Sequence, residues 1–263
     1  MEGLKMSIGK IVGIMSGKGG VGKSSITSLM AVSLSNNGKR VGILDADITG
    51  PSIPKVFGIN NKRIMSVDNK IRPVKTVSGI KVTSINLMLD NEDDPVVWRG
   101  PLVGNMVKQF YEDVDWGELD YLLIDLPPGT GDVPLTIMQS VSLDGVVVVT
   151  SPQDLVNLIV KKSIKMANLM GTNIYGVVEN MSYFVCDECD KKHYIFGKGG
   201  MEPKLNELGV DLLYSFPINP DFTELCDEGR IEVFGKINFD LCEKFSHVVE
   251  NKIGAIKVEN CCI

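Results

Sequence analysis

The chain has 263 residues, 44% of them hydrophobic, and a formal net charge of -6 at pH 7. This length and composition can bury one full core, so we expect a single α/β domain over residues 1–263, with a cysteine-containing insertion near 183–197 and a flexible tail at 252–263. The negative charge argues against a broad basic face for nucleic acid. Because no apolar run approaches the ~20 residues of a membrane span and no signal-type segment follows the first residues, we expect a cytoplasmic protein without nucleic-acid or membrane partners.

A glycine-rich stretch after the apolar run 11–15 carries the first motif. It matches G-x-x-x-x-G-K-[ST], in which glycines turn backbone amides inward to cradle phosphate oxygens at the start of a helix. In that motif Lys23 reaches the β/γ-phosphates and the Ser24 hydroxyl binds Mg²⁺. The alternative, a plain glycine turn between strand and helix, leaves the complete match unexplained. The predicted nucleotide-binding residues of this stretch are Gly17, Lys18, Gly19, Gly20, Val21, Gly22, Lys23, Ser24 and Ser25.

A βαβ unit is predicted around this motif. Apolar residues at helical spacing predict a helix over 24–37 that ends at Gly38, and a buried strand follows over 40–45. A crossover of this length implies a mostly parallel, doubly wound α/β sheet with helices on both faces. Asp45 and Asp47 follow at a carboxyl strand end, where ligands bind in such sheets. Two carboxylates there suit a Mg²⁺ shell and an attacking water, although an Asx-type turn would also account for either.

A second strand that ends in aspartate comes later in the chain. For residues 58–94 we expect short strands and assign no chemistry. After a predicted helix over 102–111, the predicted strand 120–125 ends at Asp125. An apolar run that ends in aspartate is the Walker B arrangement, which places a carboxylate opposite the Mg²⁺. The loop 127–131 combines two prolines with two glycines, so we expect it to take two conformations.

The remaining sheet is predicted from a strand over 146–150, a return helix over 157–170 and a strand over 174–179. Asn180 comes directly after this last strand. An amide side chain at a strand end can pair with both donor and acceptor edges of adenine, which makes Asn180 a candidate base contact. A turn-forming asparagine is the alternative.

Cys186 and Cys189 form a C-x-x-C pair in a hydrophilic stretch that ends at His193. The spacing lets both thiolates face one metal, but a tetrahedral Zn²⁺ site or a 4Fe-4S cluster needs four ligands. A two-fold homodimer would supply the missing pair. A redox dithiol and a zinc-clamped dimer are the other interpretations. Without a secretory segment, the chain's cysteines are expected to be reduced thiols or metal ligands rather than disulfides.

Six motifs, in this order, resemble the Mrp/ApbC family of iron-sulfur cluster carrier ATPases. This family is part of the MinD/ParA/nitrogenase-iron-protein class of deviant Walker A P-loop NTPases, the SIMIBI type, and the resemblance covers about residues 8–250. The motifs are the run from Gly17 to Ser24, Asp45-Ala46-Asp47 with the following Gly50-Pro51-Ser52-Ile53-Pro54, Trp98-Arg99-Gly100-Pro101, the run from Asp125 to Asp132, Asn180-Met181-Ser182, and the pair Cys186 and Cys189.

The resemblance implies an ATPase whose homodimer holds a 4Fe-4S cluster between its subunits and transfers it to apoproteins. In this class the phosphate loop has a second lysine directly after its first glycine, here Lys18, and this lysine reaches across to the ATP of the second chain. Asp47 positions the attacking water, and Asp45 supports the Mg²⁺ shell through water. The resemblance makes the loop 127–131 the second of the switch loops of this class, and the segment that begins with Asp47 the first.

The resemblance also places adenine against Asn180 on one side and against the segment 215–220, with Pro217, on the other. Arg230 departs from the pattern, because proline is expected at its position. Two alternative functions are retained. A ParA/MinD-like partitioning or positioning ATPase predicts a basic patch or a terminal basic amphipathic helix, which the mixed charge of 239–257 disfavours. A zinc-bridged structural dimer would use the same cysteine pair.

Overall fold

The computed structural model describes residues 7–47, 50–67, 70–88, 100–152, 155–197 and 201–254. The motif residues Trp98 and Arg99 and the tail from residue 255 onward lie outside the described residues. The strands are β1 (Ser7–Met15), β2 (Val41–Asp45), β3 (Met65–Val67), β4 (Lys70–Arg72), β5 (Val74–Lys75), β6 (Lys81–Ser84), β7 (Glu118–Asp125), β8 (Gly145–Thr150), β9 (Ile174–Val185), β10 (Lys192–His193) and β11 (Leu212–Pro217).

The helices connect these strands and lie on both faces of the sheet. Within the described ranges, no helix has the length and apolar character that crossing a membrane would require. The helices are α1 (Lys23–Asn36), α2 (Ile53–Val56), α3 (Gly100–Glu112), α4 (Asp132–Ser140), α5 (Leu155–Leu169), α6 (Met201–Asn206), α7 (Pro220–Asp227), α8 (Ile231–Ile237) and α9 (Phe239–Ile253).

One sheet organises the described chain, in the strand order β10-β9-β8-β1-β7-β2-β6-β5, with β11 paired to β9. The central pairs β1–β7, β1–β8, β2–β7 and β8–β9 are parallel, while the short strands β5 and β10 run antiparallel to their neighbours. Parallel strands are joined by crossover helices and are therefore covered on both faces. The predicted doubly wound, mostly parallel α/β fold is confirmed.

The core divides between the two faces of the sheet because side chains alternate along each strand. Val12 and Ile14 of β1 face a layer that contains α1, α8 and α9, whereas Ile11 and Met15 face a layer that contains α3, α4 and α5. All of these side chains are at most 8% exposed. A strand buried on both faces reads as a continuous apolar run, which is why β1, β7 and β8 are visible in the sequence.

The sequence-based boundaries are wrong at β9. The predicted strand ends at residue 179, but β9 continues through Asn180 and Ser182 to Val185. It continues because pairing resumes beyond an irregular stretch, where Tyr183 lies opposite Pro217 of β11 and Phe184 lies opposite His193 of β10. The cysteine pair therefore lies in a β-hairpin rather than in an isolated loop.

An ion-pair network ties the start of β2 to β7 at the amino-terminal edge of the sheet. The Arg40 backbone N–H donates to Asp120 Oδ2 at 2.8 Å, and its guanidinium donates to the same carboxylate at 2.9 and 3.2 Å. The guanidinium also contacts Glu118. The hydrogen bonds from Arg40 lower the pKa of Asp120 to about 2.

We expect Asp120→Asn to lower the free energy of unfolding at neutral pH and to have a clearly smaller effect near pH 3. A carboxyl whose pKa is lower in the folded chain than the usual ~3.9 stabilises the fold above that value, and the stabilisation disappears as the pH falls through about 2. Urea unfolding of the variant and the unmodified chain at about pH 7 and about pH 3 measures this. Glu112→Gln, which breaks the exposed 3.9 Å pair with Lys108, is the matched control and should show no such pH dependence. An equal deficit for Asp120→Asn at both pH values would contradict the assignment.

Candidate functional site

The Asp125 carboxylate lies at the centre of the site, at the carboxyl end of β7, and is fully buried. Lys23 Nζ lies 2.7 Å and Ser24 Oγ 2.6 Å from its Oδ2 atom, and Thr27 Oγ1 donates to Oδ1 at 2.7 Å. The register explains this convergence, because Ile14 of β1 lies beside Asp125 and the chain enters α1 soon after β1. The structure thus brings the motif lysine, the motif serine and the predicted Walker B aspartate into direct contact.

The two aspartates after β2 have different surroundings. Asp45 ends the strand beside Asp125, is 1% exposed, and accepts from Ser84 Oγ at 3.1 Å and from the Asp47 backbone N–H at 3.2 Å. Burial, together with the negative charge of Asp125, raises the pKa of Asp45 well above its usual range. Asp47 lies nearer the surface, with Oδ2 3.8 Å from Lys23 Nζ. Asp45 is therefore a buried residue behind the contacts of Asp125, whereas Asp47 lies at the more exposed edge of the site.

A cavity of about 210 Å³ lies over the glycine-rich loop. Ser16, directly after β1, joins this loop to the loop 127–131, the proline-rich loop. The Ser16 hydroxyl donates to the Lys18 carbonyl at 3.0 Å, and the Ser16 carbonyl accepts from the Gly129 N–H at 2.8 Å. The two loops therefore share one buried residue. The cavity is lined by Ser16, Lys18, Gly19, Gly20, Val21, Gly22, Lys23, Ser24, Ser25, Asp47, Ser52 and Pro128.

A second cavity, of about 450 Å³, continues from the first toward β9 and β11. The two cavities have Gly20, Gly22, Ser25 and Ser52 in common, so they form one groove. Its far end is lined by Asn180 and by apolar side chains that include Pro217, and it is large enough for a base and ribose. The remaining lining residues are Lys55, Val56, Met181, Ile218, Asn219, Phe222, Thr223, Cys226 and Asp227.

Asn180 contacts the phosphate loop as well as this cavity. Its Nδ2 atom donates to the Val21 carbonyl at 3.0 Å. A Cβ added to Gly22 would lie only 2.3 Å from that Nδ2 atom, so only glycine allows the approach. The amide that the sequence assigned to adenine thus also holds the loop in place.

The wall opposite β9 depends on two glycines in close contact. Gly58, after α2, and Gly229, between α7 and α8, have φ values of 63° and 72°. A Cβ on Gly58 would lie 2.8 Å from the Gly229 carbonyl oxygen, and one on Gly229 would lie 2.5 Å from the Gly58 Cα. Arg230, where the family pattern has proline, donates its backbone N–H to the Leu225 carbonyl at 2.7 Å, a bond that proline cannot make.

Cys186 and Cys189 lie in the turn between β9 and β10. The Cys186 N–H donates to the Lys191 carbonyl at 3.0 Å, and the Cys186 carbonyl accepts from the Asp190 N–H at 2.9 Å. Hydrogen bonds from the backbone N–H groups of Glu188 and Cys189 lower the pKa of the Cys186 thiol. His193, at the end of the hydrophilic stretch, is an exposed residue of β10. In the part of the chain that the structure describes, no group of three or more His, Cys, Asp or Glu side chains is placed to hold a metal ion.

Several site residues were missed by the sequence analysis. Thr27, Ser16 and Ser84 each hydrogen-bond a predicted residue. Thr27 lies one helical turn after Lys23, so its position on the same helix face could have identified it. Ser84 is recognisable only once β2 and β6 are paired, which places it beside Asp45.

We expect Gly22→Ala to weaken nucleoside triphosphate binding more than Gly20→Ala. Both glycines have a φ of 79°, so an alanine at either is strained by a similar amount, about 1–2 kcal/mol. Only at position 22 does the added Cβ also meet Asn180, and we expect a further loss of at least about tenfold in affinity, which is ~1.4 kcal/mol. Calorimetric titration with a non-hydrolysable ATP analogue measures both. Equal losses would show that the Asn180 contact does not matter for binding.

Comparisons with known proteins identify the family and support the fold. The ParA family model, described as NUBPL iron-transfer P-loop NTPase, matches residues 7–253. An "Iron-sulfur cluster carrier protein" of Clostridium perfringens is 50% identical over 235 residues, which cover 87% of this chain and 82% of that protein. A nucleotide-binding protein from Archaeoglobus fulgidus, solved in complex with ADP, is 44% identical with a TM-score of 0.78, covering 86% of this chain and 89% of the other.

The MinC:MinD cell division complex of Aquifex aeolicus contains a chain that is 18% identical, with a TM-score of 0.68 over 95% of this chain and 98% of that one. At this identity the likeness shows the fold alone. The resemblance inferred from the six motifs is confirmed by the family match and by the relatives that are close in sequence. The chain belongs to the family of iron-transfer P-loop NTPases.

Proposed function

We propose that this protein is an ATP-hydrolysing carrier that holds a 4Fe-4S cluster at a homodimer interface and transfers it to apoproteins. The family and the P-loop NTPase fold support the ATPase activity. The observation that carries the proposal is the hairpin of Cys186 and Cys189, which follows the strand that lines the nucleotide groove and presents two thiols, only half of a four-ligand set within the described residues.

The phosphate end of the groove supplies the groups that hydrolysis needs. We assign Lys23 and the loop amides to the phosphates, and Ser24 with Asp125 to Mg²⁺, which Asp45 supports through water. The bound cation would neutralise phosphate charge. The buried Asp125 carboxylate, whose Lys23 and Ser24 partners are groups that bind phosphate and metal, fits this assignment. Asp47, on the edge of the same cavity, is assigned to orient the attacking water.

Lys18 is assigned to the ATP bound by the second chain. It lies in the phosphate loop, and the Ser16 hydroxyl holds its backbone carbonyl. A cation supplied to the transferring phosphoryl group from a neighbouring chain is worth about 10³ to 10⁵ in rate. Hydrolysis would then require two chains in contact.

The cysteine hairpin is assigned to the cargo. Backbone N–H groups directed at Cys186 favour its thiolate, which is the form that binds iron. Two such hairpins related by a two-fold axis give the four thiolates of a 4Fe-4S cluster. Zn²⁺ accepts the same four ligands, so the metal has to be identified by experiment.

We expect Cys186→Ala to abolish cluster binding because half of the ligands in each dimer would be lost. After anaerobic reconstitution, the unmodified chain should show absorbance near ~400 nm and about two iron atoms per chain, and the variant neither. Cys242→Ala, which changes a fully buried cysteine in α9, is the matched control and should keep the cluster. Zinc without iron in protein isolated anaerobically would support a zinc-bridged dimer instead.

We expect Lys18→Ala to bind ATP but to hydrolyse it about 10³-fold more slowly or worse. If Lys18 acts on the second chain, mixing Lys18→Ala with Lys23→Ala protein should restore part of the rate. A mixed dimer then combines a competent ATP site on the first variant with a Lys18 from the second. Steady-state phosphate release measures this.

The control mixture pairs Lys18→Ala with the Lys18→Ala/Lys23→Ala double variant and should show no recovery. The assignment of Lys18 to the neighbouring chain fails if both mixtures behave alike, or if Lys18→Ala alone keeps the full rate.

A further inference from the structure

Strand β9 joins the two halves of the proposed function. Asn180 lies against the phosphate loop and lines the base-side cavity, and Cys186 follows only six residues later at the end of the same strand. Energetic coupling between two sites can be carried by hydrogen bonds and rigid secondary structure that connect them. The segment of β9 between Asn180 and Cys186 is such a connection.

This segment contains a bulge. Glu179 lies opposite Ser215 of β11, whereas Tyr183 lies opposite Pro217, so four steps along β9 match two steps along β11. Met181, in the middle, has a φ of 56°, a left-handed conformation that is costly for a residue other than glycine. The bulge turns Asn180 and Met181 toward the cavity. Bulges of this kind reorient side chains beside functional sites.

A buried carboxylate closes the bulge. Glu179 is 3% exposed, and the Ser182 hydroxyl donates to its Oε2 atom across the bulge. Ser215 Oγ lies 3.4 Å from the same oxygen, from the side of β11. A buried carboxylate is retained only where hydrogen bonds compensate for its lost hydration. Glu179 and Ser182 thus hold the strained Met181 conformation from within the sheet.

The second wall of the base-side cavity contacts the root of the hairpin. The Ile218 N–H donates to the Tyr183 carbonyl at 2.7 Å, and Ile218 itself lines the cavity. On the other side of Tyr183, Lys192 Nζ of β10 lies 4.3 Å from the centre of its ring. Tyr183 is therefore bonded to the base-side wall through its backbone and to the hairpin through its ring.

We propose that the β9 bulge couples nucleotide binding to the cysteine hairpin, and that Glu179 and Ser182 are the positioning residues that make it stiff enough to do so. This deepens the proposed function, because it names the route by which ATP would control the cargo site. A bound base changes the surroundings of Asn180, Met181 and Ile218. With the Glu179–Ser182 contact intact, a shift of these residues moves Tyr183 and the hairpin with them. Without the contact, the bulge deforms and the hairpin keeps its position.

Hydrogen exchange of the hairpin amides, residues 184–193, tests this in the cluster-free chain. In the unmodified protein, saturating ATP analogue should change their exchange rates by about fivefold or more, the lower end of common allosteric couplings. Ser182→Ala should bind the analogue within about threefold of normal affinity but lose the response. Ser182→Thr, which restores a hydroxyl, should recover it. Met181→Gly, which relieves the left-handed strain and loosens the bulge, should also diminish the response.

Ser246→Ala is the matched control. It removes another buried serine hydroxyl that donates to a glutamate, Glu250 of α9, at 2.9 Å, and it should keep the full response. The proposal is overturned if Ser182→Ala and Met181→Gly respond like the unmodified chain, or if the unmodified chain shows no response. Because no cluster is present in this experiment, a response that depends on Ser182 supports the coupling even if reconstitution shows that the chain carries no iron.

Discussion

A fully buried carboxylate, Asp125, sets the arrangement of the whole nucleotide site. Removing a carboxylate from water is costly unless charged and hydrogen-bonding partners replace the lost hydration, and α1 supplies three donors from its first turn and a half. Two of these, Lys23 and Ser24, are the groups that phosphate and metal attract. With the roles proposed above, nucleotide binding would exchange the partners of one carboxylate rather than fill an empty cavity, and occupancy would then act on the strands that meet there.

The strands on either side of β7 carry other residues of the site. Asp45 lies beside Asp125 on one neighbouring strand, and its pKa is raised by burial and by the negative charge of Asp125. Ser16 links the two loops above it. On the other side, β8 and β9 lead to Asn180 and then to the cysteines. The nucleotide groove and the hairpin are thus two positions on a single hydrogen-bonded sheet, so a carrier function does not require a separate cargo domain.

Local sequence patterns could predict what depends on local physics. Glycine spacing revealed the phosphate loop, apolar runs that close on Asp45 and Asp125 revealed the strand ends, and the C-x-x-C spacing revealed the paired thiols. The course of β9 beyond residue 179 could not be predicted, because it is set by pairing with β10 and β11 and includes a left-handed methionine. For the same reason Ser84 gave no signal, because its partner Asp45 is remote in sequence. The assigned roles of the site residues remain predictions.

The contact between Gly58 and Gly229 also bears on the width of the groove. Two backbones that meet without an intervening side chain pack closely, so this contact ties the end of α2 to the end of α7. Residues on and beside these helices line both the phosphate end and the base end of the groove, among them Ser52 and Phe222. A side chain at either glycine would force the two helices apart, so a single pair of residues without side chains limits the width of the groove along this wall.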